Sequence, residues 1–260
     1  MASKHEYPVY IISKGRYENP ITAKSFEAAG INYLIAVEPQ EYELYVNSLG
    51  VDRVLKLPFA NLGLGSYPAR NYCWEHAKAK GFKYHWLFDD NIRGLAKWIN
   101  GKKQYIDDID SGLYFVEQYT KKNNIDINGF EYRYFVAKPP KKPFKNNCHV
   151  YSALLIKNNL HYRWRLKYNE DIDLCLQVLH NGGSTASCVY YMTNKTSTVA
   201  KLKGGNQTDL YQGNAPKKNL LKAKMLEAVW PQYAKTVIRF GRYHHLIDWR
   251  QFNKKNNGIR

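Results

Sequence analysis

The sequence predicts an α/β protein with a mostly parallel central sheet flanked by helices, followed by a small, basic, helical C-terminal lobe. Two patterns predict this fold. Over the first ninety residues, short apolar runs alternate with segments of helical character, joined by short links that favour right-handed crossovers. Positive charge is concentrated in two later stretches. A length of 260 residues suits one large domain with an appended lobe, and we place the expected boundary between 1–205 and 206–260.

The strands and helices of the first ninety residues are marked by proline and glycine. An apolar run bounded by Pro8 and Gly15 predicts the first strand. Each helical segment carries a proline in its first turn and stops at a glycine. The predicted strands are 8–13, 33–37, 54–57 and 84–88, and the predicted helices are 20–30, 39–50 and 68–80.

After residue 90 the alternation is weaker. Asn169 is expected to cap a helix that stops at Gly182. A proline- and lysine-rich stretch, 139–145, can be neither helix nor central strand, and the polar stretch 194–216 predicts a long functional loop. The predicted helices are 109–122, 169–180 and 217–229, and the predicted strands are 132–138, 148–156 and 187–192.

Composition restricts the class of protein. The net charge is +17, of which residues 138–167 carry +8 and residues 201–260 carry +10. Such confinement is typical of a surface that faces a polyanion, so nucleic acid ranks ahead of a merely solvated basic surface, and a membrane surface ranks third. No apolar run approaches the roughly 20 residues of a membrane span, and no secretory signal is expected at the polar N-terminus. Four cysteines without a CxxC pair predict reduced thiols rather than a zinc knuckle or a disulfide framework.

Two acidic residues and an amide, Asp89, Asp90 and Asn91, follow directly after the fourth predicted strand. Ligands bind outside the carboxyl ends of strands in open α/β sheets. Adjacent carboxylates repel each other there unless a cation compensates them, and oxygen ligands suit Mg²⁺ or Mn²⁺. The alternative is an ordinary turn, since these residue types also favour turns.

Arg70 lies in the first turn of the helix before that strand, where the helix dipole disfavours a cation. A residue placed against local preference indicates function, here contact with a diphosphate or a nucleobase. The alternative is a side chain that points into solvent.

Glu170 and Asp171 open the helix at 170–180. Acidic residues there match the helix dipole, which is the alternative to a catalytic role. Further on, Gly204 and Gly205 follow two lysines, Lys201 and Lys203, in a pattern that suits either a lid over a diphosphate or a plain loop.

These elements in this order resemble the phage DNA-base glycosyltransferases of the TET/JBP-associated group, within the GT-A superfamily. The resemblance covers roughly residues 8–205 and is carried by the segments 9–16, 66–71 and 86–91. It implies a nucleotide-sugar donor, UDP-linked, with a divalent Mn or Mg ion held by Asp89 and Asp90. The family's metal motif is Asp-x-Asp, and Asn91 departs from it.

By that resemblance Asp171 is the base that deprotonates the acceptor hydroxyl, and Glu170 orients it or binds a sugar hydroxyl. The expected donor-binding residues are Ser13, Lys14, Arg16, Glu38, Arg70, Asp89, Asp90, Asn91, Lys201, Lys203, Gly204 and Gly205. His149 is expected to be a packed strand residue, and His244 and His245 are weak candidates for a third metal ligand.

The acceptor is inferred separately, from charge. Clustered lysines and arginines can neutralise DNA phosphates, and Tyr243, Trp249 and Phe252 lie among arginines that suit base stacking or an extruded nucleotide. The alternative is that these aromatic residues form the core of the lobe. The expected DNA-binding residues are Lys141, Lys142, Lys145, Lys217, Lys218, Arg242 and Arg250. Lys222 and Lys224 are further lysines that can neutralise phosphates.

The predicted function is transfer of a hexose or pentose from a UDP-sugar to the hydroxymethyl group of 5-hydroxymethylcytosine in phage DNA, in the cytoplasm of the infected bacterial host. A metal-dependent DNA nuclease and a non-catalytic DNA-binding module are the alternatives. The sequence leaves open which sugar is used and whether the base is cytosine or uracil.

Overall fold

The computed structural model describes residues 3–196, 204–205 and 215–254, and the side chains at 215–218 and 254 lie outside that description. The first part of the chain alternates strands and helices, as the sequence predicts. Its elements are β1 (Val9–Ile12), α1 (Ile21–Ala28), β2 (Leu34–Val37), α2 (Tyr42–Leu49), β3 (Val54–Lys56), α3 (Tyr67–Ala79) and β4 (Tyr84–Asp89).

The middle of the chain departs further from the sequence prediction. Its elements are β5 (Ile92–Ile99), β6 (Lys102–Ile106), α4 (Ile109–Asn123), β7 (Ile127–Tyr132), β8 (Phe144–Asn146), β9 (Ala153–Lys157), α5 (Glu170–His180) and β10 (Ala186–Lys195). The hairpin of β5 and β6 was not predicted. The strand predicted at 132–138 is wrong, because the strand ends at Tyr132 and a short 3-10 helix follows.

The cap predicted for α5 is also wrong. Asn169 has a left-handed backbone with φ of 55° and no side-chain cap, and its amide instead donates to the carbonyl of Lys222 at 2.9 Å. Asn169 therefore joins the start of α5 to the C-terminal region.

The C-terminal region contains the predicted basic helix and an additional β-hairpin. Its elements are α6 (Ala215–Val229), β11 (Ala234–Arg239), β12 (Arg242–Ile247) and the short helix α7 (Gln251–Lys254). Helix α6 packs against both strands of the hairpin.

One ten-stranded sheet runs through the molecule in the order β3-β2-β1-β4-β9-β7-β10-β5-β6, and β8 pairs with β10. The first four strands are parallel, while β9, β5 and β8 run against the other seven. The predicted α/β class with a mostly parallel sheet is thus confirmed.

Two apolar clusters cover the two faces of the sheet. Trp86 and Phe26 belong to the first, and Trp74 and Trp164 belong to the second, and all four are almost fully buried. Removing this apolar surface from water drives the chain to fold, at roughly 25 cal/mol per Å².

A third cluster joins α5 to the C-terminal region, through contacts that include Leu176 and Leu226. At its centre the buried carboxylate of Asp173 accepts hydrogen bonds from Trp230 at 2.7 Å, from Gln177 at 2.8 Å and from Arg165. A buried carboxylate is tolerated only when so many donors compensate it.

In the described part of the chain no helix has both the length and the apolar character to cross a membrane. The four cysteines, at 73, 148, 175 and 188, are all free.

Candidate active site

The carboxyl ends of five strands meet at one edge of the sheet. Because β1, β2, β4, β7 and β10 run in the same direction, the residues that end or follow them converge there. These residues are Ser13, Glu38, Asp89, Tyr132 and Lys195. Such an edge is where open α/β sheets bind ligands.

A cleft of about 310 Å³ lies at this edge. The predicted residues that line it are Ser13, Lys14, Arg16, Glu38, Arg70, Asp89, Asp90, Asn91, Glu170, Asp171 and Gly205. The acidic segments after β4 and at the start of α5 therefore share one cleft. Lys201 and Lys203 lie outside the described residues.

The loop after β1 is held by Tyr45 and Asp90. The Ser13 hydroxyl lies 2.6 Å from the Tyr45 hydroxyl and donates to Asp90 at 2.7 Å, and the Arg16 guanidinium forms an ion pair with the other oxygen of Asp90. Burial raises the pKa of Asp90, with Arg16 and Ser13 opposing that effect. At the mouth of the cleft, Lys14 forms an ion pair with Glu38 at 3.1 Å.

Two glycines from the late loop pack directly on this first loop. Gly204 and Gly205 have φ angles of +80° and +75°, and the Gly205 N–H donates to the Lys14 carbonyl at 2.6 Å. A Cβ added at Gly204 would lie 2.1 Å from the carbonyl oxygen of Gly15. Glycine is required there by backbone conformation and by close approach.

Asp89 is held between two cations. Arg70 donates to one of its oxygens and Lys195 to the other, both at 2.7 Å. Burial alone would raise the pKa of Asp89, but Lys195 and Arg70 outweigh burial and hold it well below its usual range. Lys195 also donates to Ser152 at 2.5 Å and to Tyr132 at 3.0 Å, so its three donors are all used.

The carboxylates after β4 do not fit the divalent metal that the sequence predicts. Both oxygens of Asp89 accept hydrogen bonds from cations, and both oxygens of Asp90 are held by Arg16 and Ser13. The buried amide oxygen of Asn91 makes no hydrogen bond within the described residues, but one neutral oxygen does not hold a divalent cation.

In residues 3–196, 204–205 and 215–254, no group of three or more His, Cys, Asp or Glu side chains could hold a metal ion. The ligand role expected for Asp89 and Asp90 stays a prediction, and in this structure their oxygens are engaged by side-chain cations and a hydroxyl instead. The ammonium group of Lys195 supplies the positive charge that Asp89 requires.

Arg70 connects the two acidic segments. Besides Asp89, its guanidinium contacts Ser66 at 3.1 Å and Glu170 at 3.4 Å, and it lies over the ring of Trp164. The side chain is only 4% exposed, so the alternative of a solvent-exposed arginine is wrong. One nitrogen, Nη1, is buried and has no hydrogen-bond partner in the described part of the chain. A buried guanidinium donor left unpaired in a cleft wall suits an anionic ligand.

The pKa values of the two acidic residues at the start of α5 are shifted in opposite directions. Burial and the neighbouring Asp171 raise the pKa of Glu170, which accepts a hydrogen bond from Ser66 at 2.7 Å. Burial would also raise the pKa of Asp171, but His149, whose Nε2 lies 3.0 Å from it, and Arg70 lower it. Asp171 is thus an ionised carboxylate at neutral pH that lines the cleft.

Sequence reasoning missed Lys195 and the contact between His149 and Asp171. Lys195 is 106 residues from Asp89, and only the pairing of β10 beside β7 brings it to the edge. His149 was expected to be a packed strand residue, although it lies before β9 and its ring stacks on Trp249.

The predicted DNA-binding residues divide into several groups. Lys141, Lys142, Lys145 and Arg242 are exposed, and Lys145 forms an ion pair with the buried Glu131 at 2.9 Å. Arg250 is paired with Asp248, and Lys224 with Glu227. The side chains of Lys217 and Lys218 lie outside the described residues. Lys222 lines the cleft, as does Lys167, which was not predicted.

The aromatic residues predicted to stack on bases belong mainly to the lobe itself. Phe252 is buried in the cluster between α5 and the C-terminal region, and Trp249 packs against the same cluster. Tyr243 is half-buried in the hairpin. Phe252 is therefore a core residue of the lobe, which was the alternative to base stacking.

Comparison with known proteins gives one family. The model of a family described as TET-Associated Glycosyltransferase matches residues 7–205. No curated protein matches the chain. Among solved structures, the chain is similar to a protein from Desulfovibrio desulfuricans G20 described as a nucleotide-diphospho-sugar transferase, with 8% identity and a TM-score of 0.40. That match covers 72% of this chain and 80% of the other.

Proposed function

The chain belongs to the TET-associated glycosyltransferase family, and from that premise we propose that it transfers a sugar from a UDP-sugar to the hydroxymethyl group of 5-hydroxymethylcytosine in phage DNA. The observation that carries the proposal is the single cleft in which the loop after β1, the Asp89–Arg70 pair and the acidic start of α5 meet. A two-substrate transfer needs donor-binding and base-bearing groups to face one reaction centre.

The donor would lie at the β1 and β2 ends of the cleft. Backbone and side-chain groups of the loop after β1, with Lys14 and Glu38, line the space for a nucleoside. Arg70 Nη1, which has no partner within the described residues, can donate a hydrogen bond to an oxygen of the diphosphate. Fixed cations placed where negative charge develops on the leaving diphosphate lower the barrier, and Arg70 and Lys195 occupy that wall.

Asp171 would act as the base. Its carboxylate takes the proton of the acceptor hydroxyl while the hydroxyl oxygen forms a bond to the anomeric carbon. The bond from that carbon to the diphosphate oxygen breaks at the same time, and the nucleoside diphosphate leaves. Because no covalent sugar–enzyme bond is formed, the anomeric configuration inverts. A positioned base of this kind contributes about 10²–10⁴-fold.

DNA as the acceptor is supported by the distribution of charge. The stretches 138–167 and 201–260 together carry the whole positive excess, and Lys167 and Lys222, one from each, line the cleft. A phosphate backbone is the ligand that such a surface attracts, and the attraction weakens steeply with salt. The reaction would take place in the cytoplasm of the infected bacterium.

The two alternatives have less support. A metal-dependent nuclease would need carboxylates open to metal, whereas Asp89 and Asp90 are engaged by cations and a hydroxyl. A non-catalytic DNA-binding module has no use for an ionised carboxylate beside an unpaired guanidinium nitrogen in a cleft.

The test is sugar transfer from UDP-sugars to duplex DNA with and without 5-hydroxymethylcytosine. We expect product only on the hydroxymethylated DNA, with an inverted anomeric configuration by NMR. Asp171→Asn should lower turnover by at least about 100-fold and leave UDP binding unchanged. Asp52→Asn, at an exposed position after α2, is the matched control. Full activity of Asp171→Asn would remove the base from the mechanism, and equal loss in the control would point to general damage.

A further inference from the structure

We propose that the β11–β12 hairpin is a DNA-inserting finger, whose tip residue Phe240 enters the duplex and fills the gap left when the target nucleotide is turned out. The proposal rests on the proposed function, because it presumes that the acceptor base lies in a duplex. A base inside a duplex hides its 5-substituent from a cleft, so an enzyme that acts on it must extrude it.

The tip of the hairpin is a tight two-residue turn. Arg239 and Arg242 form its last register pair, and Phe240 and Gly241 connect them with φ angles of +50° and +69°. A turn with two positive φ angles favours Asn-Gly, because a large side chain is strained in this conformation. Phenylalanine is therefore present against the preference of the turn.

Phe240 also contributes nothing to the core. Its side chain is 97% exposed, the largest exposed fraction among the large hydrophobic residues of the described chain, and its neighbour Ile238 is 67% exposed. Neither folding nor turn formation explains a fully exposed aromatic ring at this position. A partner that takes up the ring does.

The charge of the hairpin identifies the partner. Residues 234–247 contain Lys235, Arg239 and Arg242 but no acidic residue. Arg239 and Arg242 are exposed, and neither forms an ion pair within the described residues. An aromatic ring between two unpaired arginines matches a base step between two phosphate strands, and phenylalanine is among the residues that proteins insert between base steps. Two apolar side chains are too few for a stable protein interface.

The base of the hairpin lies beside the catalytic end of the cleft. His245 is half-buried, and burial followed by the neighbouring His149 lowers its pKa, while Asp171 acts on it in the opposite direction. Helix α6, which packs on β12, carries Lys222 at the cleft. Arg242 is three positions before His245 along β12, which corresponds to roughly 10 Å. The hairpin that carries the tip is thus joined to the cleft through α6.

The test compares one target base in two strands. Wild type, Phe240→Ala and Phe240→Leu would be assayed on the same 5-hydroxymethylcytosine oligonucleotide as a duplex and as a single strand. Tyr134→Ala, which removes another exposed ring (64% exposed), is the matched control. We expect Phe240→Ala to lower kcat/KM on the duplex by about tenfold or more, while single-strand turnover changes by less than about twofold. Phe240→Leu, still apolar, should retain most duplex activity.

A second readout does not depend on turnover. With 2-aminopurine placed beside the target base in the duplex, wild-type binding should raise the fluorescence, and Phe240→Ala should not. Unchanged duplex activity of Phe240→Ala, or an equal loss on both substrates, would overturn the finger and leave the proposed function intact. Loss of self-association in Phe240→Ala with unchanged DNA turnover would likewise overturn it, in favour of a second copy as the partner. Absence of any transfer to DNA by the wild type would overturn both proposals.

Discussion

Replacing Lys195 by methionine removes the ammonium group that holds Asp89 and tests whether this charge takes the place of a metal. The two side chains are 18% and 20% exposed and 2.7 Å apart. Breaking a buried pair by removing one partner costs about 3–5 kcal/mol. Because Arg70 still compensates Asp89, we take the lower end and expect a loss of about 3 kcal/mol of unfolding free energy. For a chain of this size that is a fall in Tm of about 6–12 °C.

The assay is thermal and urea unfolding of Lys195→Met, Asp89→Asn and the double variant at pH 7. In the Asp89→Asn background the same lysine change should cost only about 1 kcal/mol, because a neutral amide needs no counter-charge. The stability difference between wild type and Lys195→Met should also depend on pH. The lowered pKa of Asp89 gives stability above the ordinary aspartate pKa that is lost as the pH falls through the lower folded value, so the difference between wild type and Lys195→Met should shrink in acid. A lysine change that costs the same in both backgrounds would refute this account.

Three further predictions follow from the cleft. Sugar transfer should stay within about twofold in EDTA, since the charge at Asp89 is already balanced by side chains; a tenfold loss restored by Mn²⁺ would contradict this. His149→Gln should move the acid limb of the kcat/KM profile to higher pH, because His149 lowers the pKa of Asp171, the proposed base; an unmoved limb would show that His149 does not act on the titration of Asp171. Gly204→Ala should weaken UDP binding by about tenfold, whereas Gly182→Ala, with φ of +81° but open space around it, should lose only about 1 kcal/mol of stability; equal UDP affinity of the two variants, by calorimetry, would show that the contact with Gly15 does not matter.

The first ninety residues were predictable because local residue types mark where their strands and helices begin and end. Prolines and glycines bound each element there, and every predicted strand and helix up to β4 is present within a few residues. The strand predicted at 132–138 missed the true position of β7, because β7 contains Asn128 and Gly129, which strands disfavour. A Cβ at Gly129 would lie 2.1 Å from the carbonyl oxygen of Ala153, so the glycine reflects contact with β9 that no local pattern contains.

The hairpin of β5 and β6 could have been predicted. Asn100 and Gly101 form its turn with φ angles of +49° and +72°, which is the strongest short hairpin signal that a sequence offers. By contrast, the pairing of Lys195 with Asp89 and of His149 with Asp171 depends on strand order, which the sequence does not reveal. Residue types at strand ends predicted where the cleft lies, but not how its charges are paired.

The hydrogen bond from Trp230 to Asp173 has a consequence for how catalysis and grip on the acceptor are coordinated. Asp173 is two residues after Asp171, the proposed base, on the same helix, and Trp230 immediately follows the helix that carries Lys222. Under the proposed function, a DNA acceptor that is aligned by the C-terminal region would thereby also be held at a set distance from Asp171. A relative that acquired a different C-terminal region would therefore have to retune its reaction geometry along with its choice of target.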